Sequence, residues 1–535
     1  QMPLYIEESF TATLRRRIRQ GELDAITTTN ALSGVMAHYS KPYIEYHNMA
    51  VALAARHIEL RSIADLGRYS VSAFQRARNL LEEVVDELRP GVLRAIAFNL
   101  LGAICIFDNR YAEALELLSK SADEATDVPA VVIQALMSLS WAQGMGSFAE
   151  GVSEAGLFDV MHENSRRAVE LADAPGVTPS VKSQALAMWV HTQFIHGHGV
   201  DTAALEEALT LEDHADDVAI PFKASAVNAL LLAWTGRLDN AAEQMLAVRR
   251  HYEERGGDRN MMAVESYSAL IEMWRGNLSD AEAFADEGVS WAQQLGGDHV
   301  DIIPLSVRSV VAAQLGRTAD ARADATTALE SALKCGATRM ADWPRMTLCF
   351  IEVSLGNHEA AVAAVAPLLD RLRIVPGTEL MHSWYLPDAA EALIALGRIE
   401  EADEIVDILD RNGRRVDRPW MLAVAGRCRA MSLAARGDVA AAEAAAREAL
   451  TWHDRVPMPF ELARTTLLLG QLQRRRKLRG PAYATLETAS AAFERMGAEA
   501  YDTFLQKLIG EGRPVHRGAI TAANGEFRQV DAWLD

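Results

Sequence analysis

Cysteine is scarce. The chain has four in 535 residues, Cys105, Cys335, Cys349 and Cys428, far apart and never in a Cys-x-x-Cys pair. That excludes a disulfide framework or a cysteine zinc site and fits reduced thiols in a cytoplasmic protein. Aromatic residues make up only 7%. No apolar run reaches the roughly 18 residues that span a bilayer, so no membrane partner is expected. Positive charge is also short: 53 Lys and Arg against 73 Asp and Glu leave a formal net charge of -20. Such a surface repels phosphate backbones, which excludes nucleic-acid binding through this segment. Two basic runs, Arg15-Arg16-Arg17-Ile18-Arg19 and Arg474-Arg475-Arg476-Lys477-Leu478-Arg479, read as solvated helix faces or ends. The chain contains no phosphate loop, no Gly-x-Ser-x-Gly elbow and no His-Glu-x-x-His pair. No cofactor is expected, and the chain does not read as an enzyme. It opens on Gln1-Met2 without a signal peptide, which reads as an expression scar or an internal cut.

What is present is a repeat. A glycine recurs at Gly236, Gly276, Gly316, Gly356, Gly397 and Gly437, in steps of 40, 40, 40, 41 and 40 residues. Five positions after each stands an alanine: Ala241, Ala281, Ala321, Ala361, Ala402 and Ala442. A seventh unit carries Lys477 in the glycine slot and keeps Ala482. Glycine ends a helix in the left-handed conformation without steric cost, and the alanine lets the next helix approach closely. Pro221, Pro304, Pro344, Pro387, Pro419 and Pro459 precede the turns and mark where each first helix begins. Ser279-Asp280-Ala281-Glu282 has capping-box spacing. Each unit therefore reads as proline, helix A, glycine turn, helix B, loop.

The expected fold is all-α, a right-handed superhelix of about 40-residue tetratricopeptide-like helix hairpins. Residues 221–510 form its regular part. Residues 91–220 read as irregular hairpins, with an insertion near 147–160 that delays a helix B to Ser165–Ala172. Residues 1–90 read as a helical cap or the end of a preceding domain, and 511–535 as a tail.

Two stretches carry a resemblance. One runs Arg418-Pro419-Trp420-Met421-Leu422-Ala423 to Arg436-Gly437-Asp438; the other runs Pro459-Phe460-Glu461-Leu462-Ala463-Arg464 to Phe493-Glu494-Arg495-Met496-Gly497-Ala498. They resemble the C-terminal arm of large ATP-binding LuxR-type transcription regulators, the MalT-like family. Residues 76–95 look like that family's first arm hairpin. The resemblance spans about residues 70–510. It implies an effector- or partner-sensing arm between an ATPase switch and a helix-turn-helix. Neither the phosphate loop nor a recognisable helix-turn-helix stands in this sequence, so the chain reads as an excised arm or a regulator without both ends. A freestanding interaction scaffold is the second reading and a helical enzyme the third.

Candidate binding residues follow from the A helices, which line the concave face in stacked hairpins. Trp343, Trp384, Tyr385 and Trp420 lie at or just before helix A starts, with Arg345, His382 and Arg418 nearby. They are expected to form a groove for a small-molecule effector or a regulatory protein. The competing reading makes each ring a staple that fixes its helix start to the preceding hairpin. Trp234 and Trp274 read as core. His196-Gly197-His198 with Asp201 nearby is the best metal-like cluster, but its third ligand must come from elsewhere. It reads as a polar inter-helix loop, and no metal is expected. Self-association of the arm is left open.

Overall fold

The computed structural model describes residues 90–498 except 108–109, 146–153, 215–217, 256–257, 296–299 and 373–382, with scattered positions from 78. The proposed N-terminal cap and the C-terminal tail lie largely or wholly outside the described residues. From Val92 to Met496 the described residues form a row of ten helix hairpins, with no strand among them. The first three pair α1 (Val92–Phe107) with α2 (Tyr111–Glu124), α3 (Pro129–Met145) with α4 (Glu154–Leu171), and α5 (Pro179–Ile195) with α6 (Thr202–Leu211). The next three pair α7 (Ala224–Trp234) with α8 (Leu238–Arg255), α9 (Asp258–Arg275) with α10 (Leu278–Leu295), and α11 (Ile302–Gln314) with α12 (Thr318–Lys334). The last four pair α13 (Asp342–Ser354) with α14 (His358–Leu372), α15 (Leu386–Ala395) with α16 (Ile399–Arg415), α17 (Pro419–Ala435) with α18 (Val439–His453), and α19 (Pro459–Arg475) with α20 (Arg479–Met496). The class is the one the repeat implies: an all-helical, tetratricopeptide-like superhelix.

The glycine turn forms for the expected reason. All six repeat glycines sit at positive φ, between 75° and 90°. Gly236 N–H donates to Ala233 O at 3.1 Å and Arg237 N–H to Leu232 O at 2.8 Å, the paired bonds of a Schellman cap. The same two bonds recur at each repeat turn through Lys477 and Leu478. Lys477 takes φ 64°, so a side-chain-bearing residue is held where six glycines stand. The alanine five residues on gives helix B its first helical N–H bond, as in Ala241 N–H to Arg237 O at 3.0 Å. All seven alanines are buried, which brings the paired helices close.

Two local expectations change. Helix α10 begins at Leu278, so Ser279 lies inside its first turn and makes no capping box; Asn277 O accepts from Ala281 N–H instead. Helix α4 reaches back to Glu154, well before Ser165, because residues 154–164 continue its helical pattern.

The ten hairpins do not form an open row. Tyr111 Oη donates to Met340 Sδ at 3.3 Å across 229 residues, and Arg415 Nη1 to Gly197 O at 2.6 Å across 218. The Arg418 guanidinium lies over the Phe194 ring at 5.0 Å. A Cβ on Gly236 would stand 3.1 Å from Val456, and one on Gly276 would stand 3.0 Å from Pro459. Each contact joins the turn edge of one hairpin to the loop edge between hairpins four to six units later. The superhelix closes a turn in that interval, and its successive turns touch.

Candidate functional site

In the C-terminal half the A helices meet through buried charge where an ordinary core carries leucine. On α15, Asp388 and Glu391 stand one helical turn apart, on one face. On α19, Glu461 and Arg464 have the same spacing. Arg464 Nη2 meets Asp388 Oδ1 at 2.6 Å and Glu391 Oε2 at 3.1 Å, two hairpins back. Its Nη1 lies 3.4 Å from Glu461 Oε1. The same guanidinium lies over Phe350 at 5.7 Å, three hairpins back on α13. One side chain therefore joins three A helices, α13, α15 and α19. Phe350, Phe460 and Phe493 continue the plug, with ring centroids 6.1 and 5.6 Å apart.

Arg427 on α17 extends the network. It lies 2.5 Å from Glu461 Oε2 and is 1% exposed. Burial opposes the Glu461 charge, but Arg427 and Arg464 outweigh it and hold the carboxyl at about 2. Asp388 moves the other way. Burial pushes it up to about 6 although Arg464 pulls it down, with Glu461 and Glu391 adding repulsion. His453 Nε2 shares a 3.0 Å hydrogen bond with Thr465 Oγ1, and burial, helped by Arg427, holds the imidazole down at about 4. Burial also pushes the Cys428 thiol up to about 12, which keeps it protonated at neutral pH.

A second interior, between α3 and α7, is built of rings. His191 lies between Trp141 and Trp234, with centroids at 5.9 and 5.7 Å, and Phe194 stacks on Trp234 at 5.6 Å. Burial alone pushes His191 down to about 4. Beside it His162 meets Trp189 at 5.0 Å and His196 at 5.2 Å.

The residues singled out by sequence fall into separate settings. Tyr385 is buried and donates its hydroxyl to Leu368 O at 3.2 Å, which staples α15 to the preceding hairpin. Trp420 is 7% exposed and packs in the same cluster of buried side chains. Trp343 and Trp384 are half-buried and touch two separate clusters of buried side chains, as Trp274 does. Trp234 is core. Arg345 Nη1 donates to Ala364 O at 3.3 Å. Arg418 donates to Val416 O at 2.7 Å and covers Phe194. His382 lies outside the described residues. Sequence reasoning missed Asp388, Glu391, Arg427, Glu461 and Arg464. Their one available signal was charge within predominantly buried A helices.

No family model and no curated protein matches this chain. Solved structures of similar fold include the APC/C hetero-tetramer Cut9–Hcn1, at 14% identity over 92% of this chain and 88% of that one, TM-score 0.48. A Rap protein complexed with competence and sporulation factor aligns at 10% identity over 78% and 100%, TM-score 0.37. A signal transduction ATPase with numerous domains and a tetratricopeptide repeat sensor, from Pyrococcus horikoshii, aligns at 14% identity over 87% and 74%, TM-score 0.36. The hairpins themselves define the class: a tetratricopeptide-like helical scaffold. Among the described residues no helix is long and apolar enough to cross a membrane.

Proposed function

We propose that the chain is the effector- or partner-sensing arm of a bacterial LuxR-type transcription regulator, acting in the cytoplasm by binding rather than by catalysis. The observation that carries this reading is Arg464, which ties hairpins two and three units apart through Asp388, Glu391 and Phe350. A molecule that engages one hairpin therefore shifts others that it does not touch, and the inter-turn contacts carry the change along the axis. The half-buried Trp343 and Trp384 beside the plug offer apolar faces to a small effector or to a side chain of a regulatory protein.

The reading is tested by screening purified chain against metabolites and peptides by thermal shift. A true ligand at 100 times its Kd adds about 2.7 kcal/mol. Hydrogen exchange on that complex then locates the response. Protection rising in hairpins of both superhelical turns supports a relay. Protection confined to the contacted hairpin sinks the relay and leaves a freestanding interaction scaffold. Trp384→Ala that abolishes binding supports the groove; a loss of stability with binding unchanged assigns that ring to packing.

A further inference from the structure

The turn of the last hairpin departs from the six repeat turns before it. Between Glu461 and Glu487 the chain carries Arg464, Arg474, Arg475, Arg476, Lys477 and Arg479 and no carboxylate. The whole protein, by contrast, has a formal net charge of -20. In three earlier units a B-helix carboxylate six residues past the turn glycine takes an arginine of the next hairpin. Glu282 meets Arg317 at 2.5 Å, Asp403 meets Arg436 at 2.5 Å and Glu443 meets Arg476 at 2.6 Å. In the last unit that position is Tyr483, which is 52% exposed. Its hydroxyl donates to Glu487, one helical turn on, which limits the freedom of the ring. Lys477 and Arg479 are exposed and have no carboxylate partner among the described residues.

Three choices at this corner work against stability. Lys477 takes φ 64° where glycine would carry no strain. Helices α8, α10, α12, α14 and α16 each hold an acidic residue in the first turn, and Asp438 caps α18. Helix α20 opens on Arg479 with no acid in its first turn, so a cation opposes the helix dipole. Leu478, between the two cations, is 36% exposed. A merely solvated helix end needs none of the three. Cations beside exposed apolar side chains, kept at a cost to the fold, fit a surface used for contact.

We propose that Lys477, Leu478, Arg479 and Tyr483 dock a short acidic segment of a partner protein. Its carboxylates would meet the two cations, and an apolar side chain would lie on Tyr483 and Leu478. Screening confines the corner's attraction to roughly 8 Å at physiological ionic strength, so a short segment feels its cations alone. Duplex DNA or an anionic bilayer extends past the corner and meets the acidic remainder of the chain, which repels it. Phosphates would also leave the leucine and the tyrosine ring uncovered. The surface includes neither Trp343 nor Trp384, so it stands whether or not a ligand binds beside those rings.

The test measures fluorescence anisotropy of a short labelled peptide alternating Glu with Leu, titrated with the full chain. The acidic peptide should bind, more weakly as salt rises, and its counterpart with Gln for Glu should not. Lys477→Gly and Arg479→Gln should each weaken binding about threefold. Tyr483→Ser should weaken it about tenfold. Lys477→Gly should raise Tm while it weakens binding, a pairing that a loss of folding cannot produce. An acidic peptide that does not bind, or that binds these variants as tightly as the wild-type chain, overturns the site. Duplex DNA or phosphatidylserine vesicles bound more tightly than the peptide, and lost in the same variants, overturn the assignment to a protein partner.

Discussion

The superhelix has two interiors built on one scaffold. Between α15, α17 and α19 the helices meet through ion pairs: Asp388, Glu391 and Arg464, with Glu461 and Arg427 beside them. Between α3, α5 and α7 they meet through rings: Trp141, His191, Trp234 and Phe194. Ring packing tolerates small slides. A guanidinium between two carboxylates tolerates few, because each misalignment leaves a buried charge uncovered. The C-terminal hairpins are thereby held to one register, while the N-terminal ones keep an adaptable core.

The hardest test of that difference is Arg464→Met. It strands Asp388, Glu391 and Glu461 without their shared cation and should cost about 3–5 kcal/mol, read as a fall in Tm or in the urea midpoint. If the loss is under about 1 kcal/mol, the ion pairs do not set the register.

Acid should separate the two interiors next. His191 has its folded pKa depressed from 6.5 to about 4, so its stabilising effect is complete above pH 6.5 and is lost as pH falls towards 4. That is worth about 3 kcal/mol over the whole window. His453 has the same sign. In the charged interior Asp388 opposes it, since a carboxyl raised from 3.8 to about 6 favours the fold as pH falls through that range. Hydrogen exchange at pH 7 and pH 5 should therefore show α5 losing protection while α19 changes less. Equal loss would erase the distinction.

A smaller effect asks whether the irregular hairpins are the same unit as the regular ones. A Cβ on Gly102 would stand 2.6 Å from Leu118, and one on Gly470 2.7 Å from Leu486. Gly102→Ala and Gly470→Ala should each cost about 1–3 kcal/mol, and by similar amounts, in chemical denaturation. The smallest change is a gain. Lys477→Gly relieves a left-handed lysine and should add about 1 kcal/mol in the same assay.

The repeat was legible because its signals are local. A glycine that must take positive φ and an alanine that must be small leave the same mark in every unit. The Lys477 slot and the seven buried alanines follow from that spacing alone. The axial ion pairs were not legible. Whether Asp388 faces water or Arg464 depends on the radius of the superhelix, and no single hairpin encodes it. His162 was hidden differently: it lies just past a stretch read as an insertion, so its helix was begun too late. The seven groove residues were chosen for their place at helix starts, which does not tell a ring that lines a surface from one that staples a helix, as Tyr385 does.

The contacts of Gly276 with Pro459, Gly236 with Val456 and Gly197 with Arg415 impose a rule on the gene. Solenoids whose units touch only their neighbours gain and lose copies freely. Here the deletion of one 40-residue unit between Gly236 and Val456 would slide every later edge past its counterpart. Copy number in this chain is a phase, and homologous recombination within the array would be purged rather than tolerated.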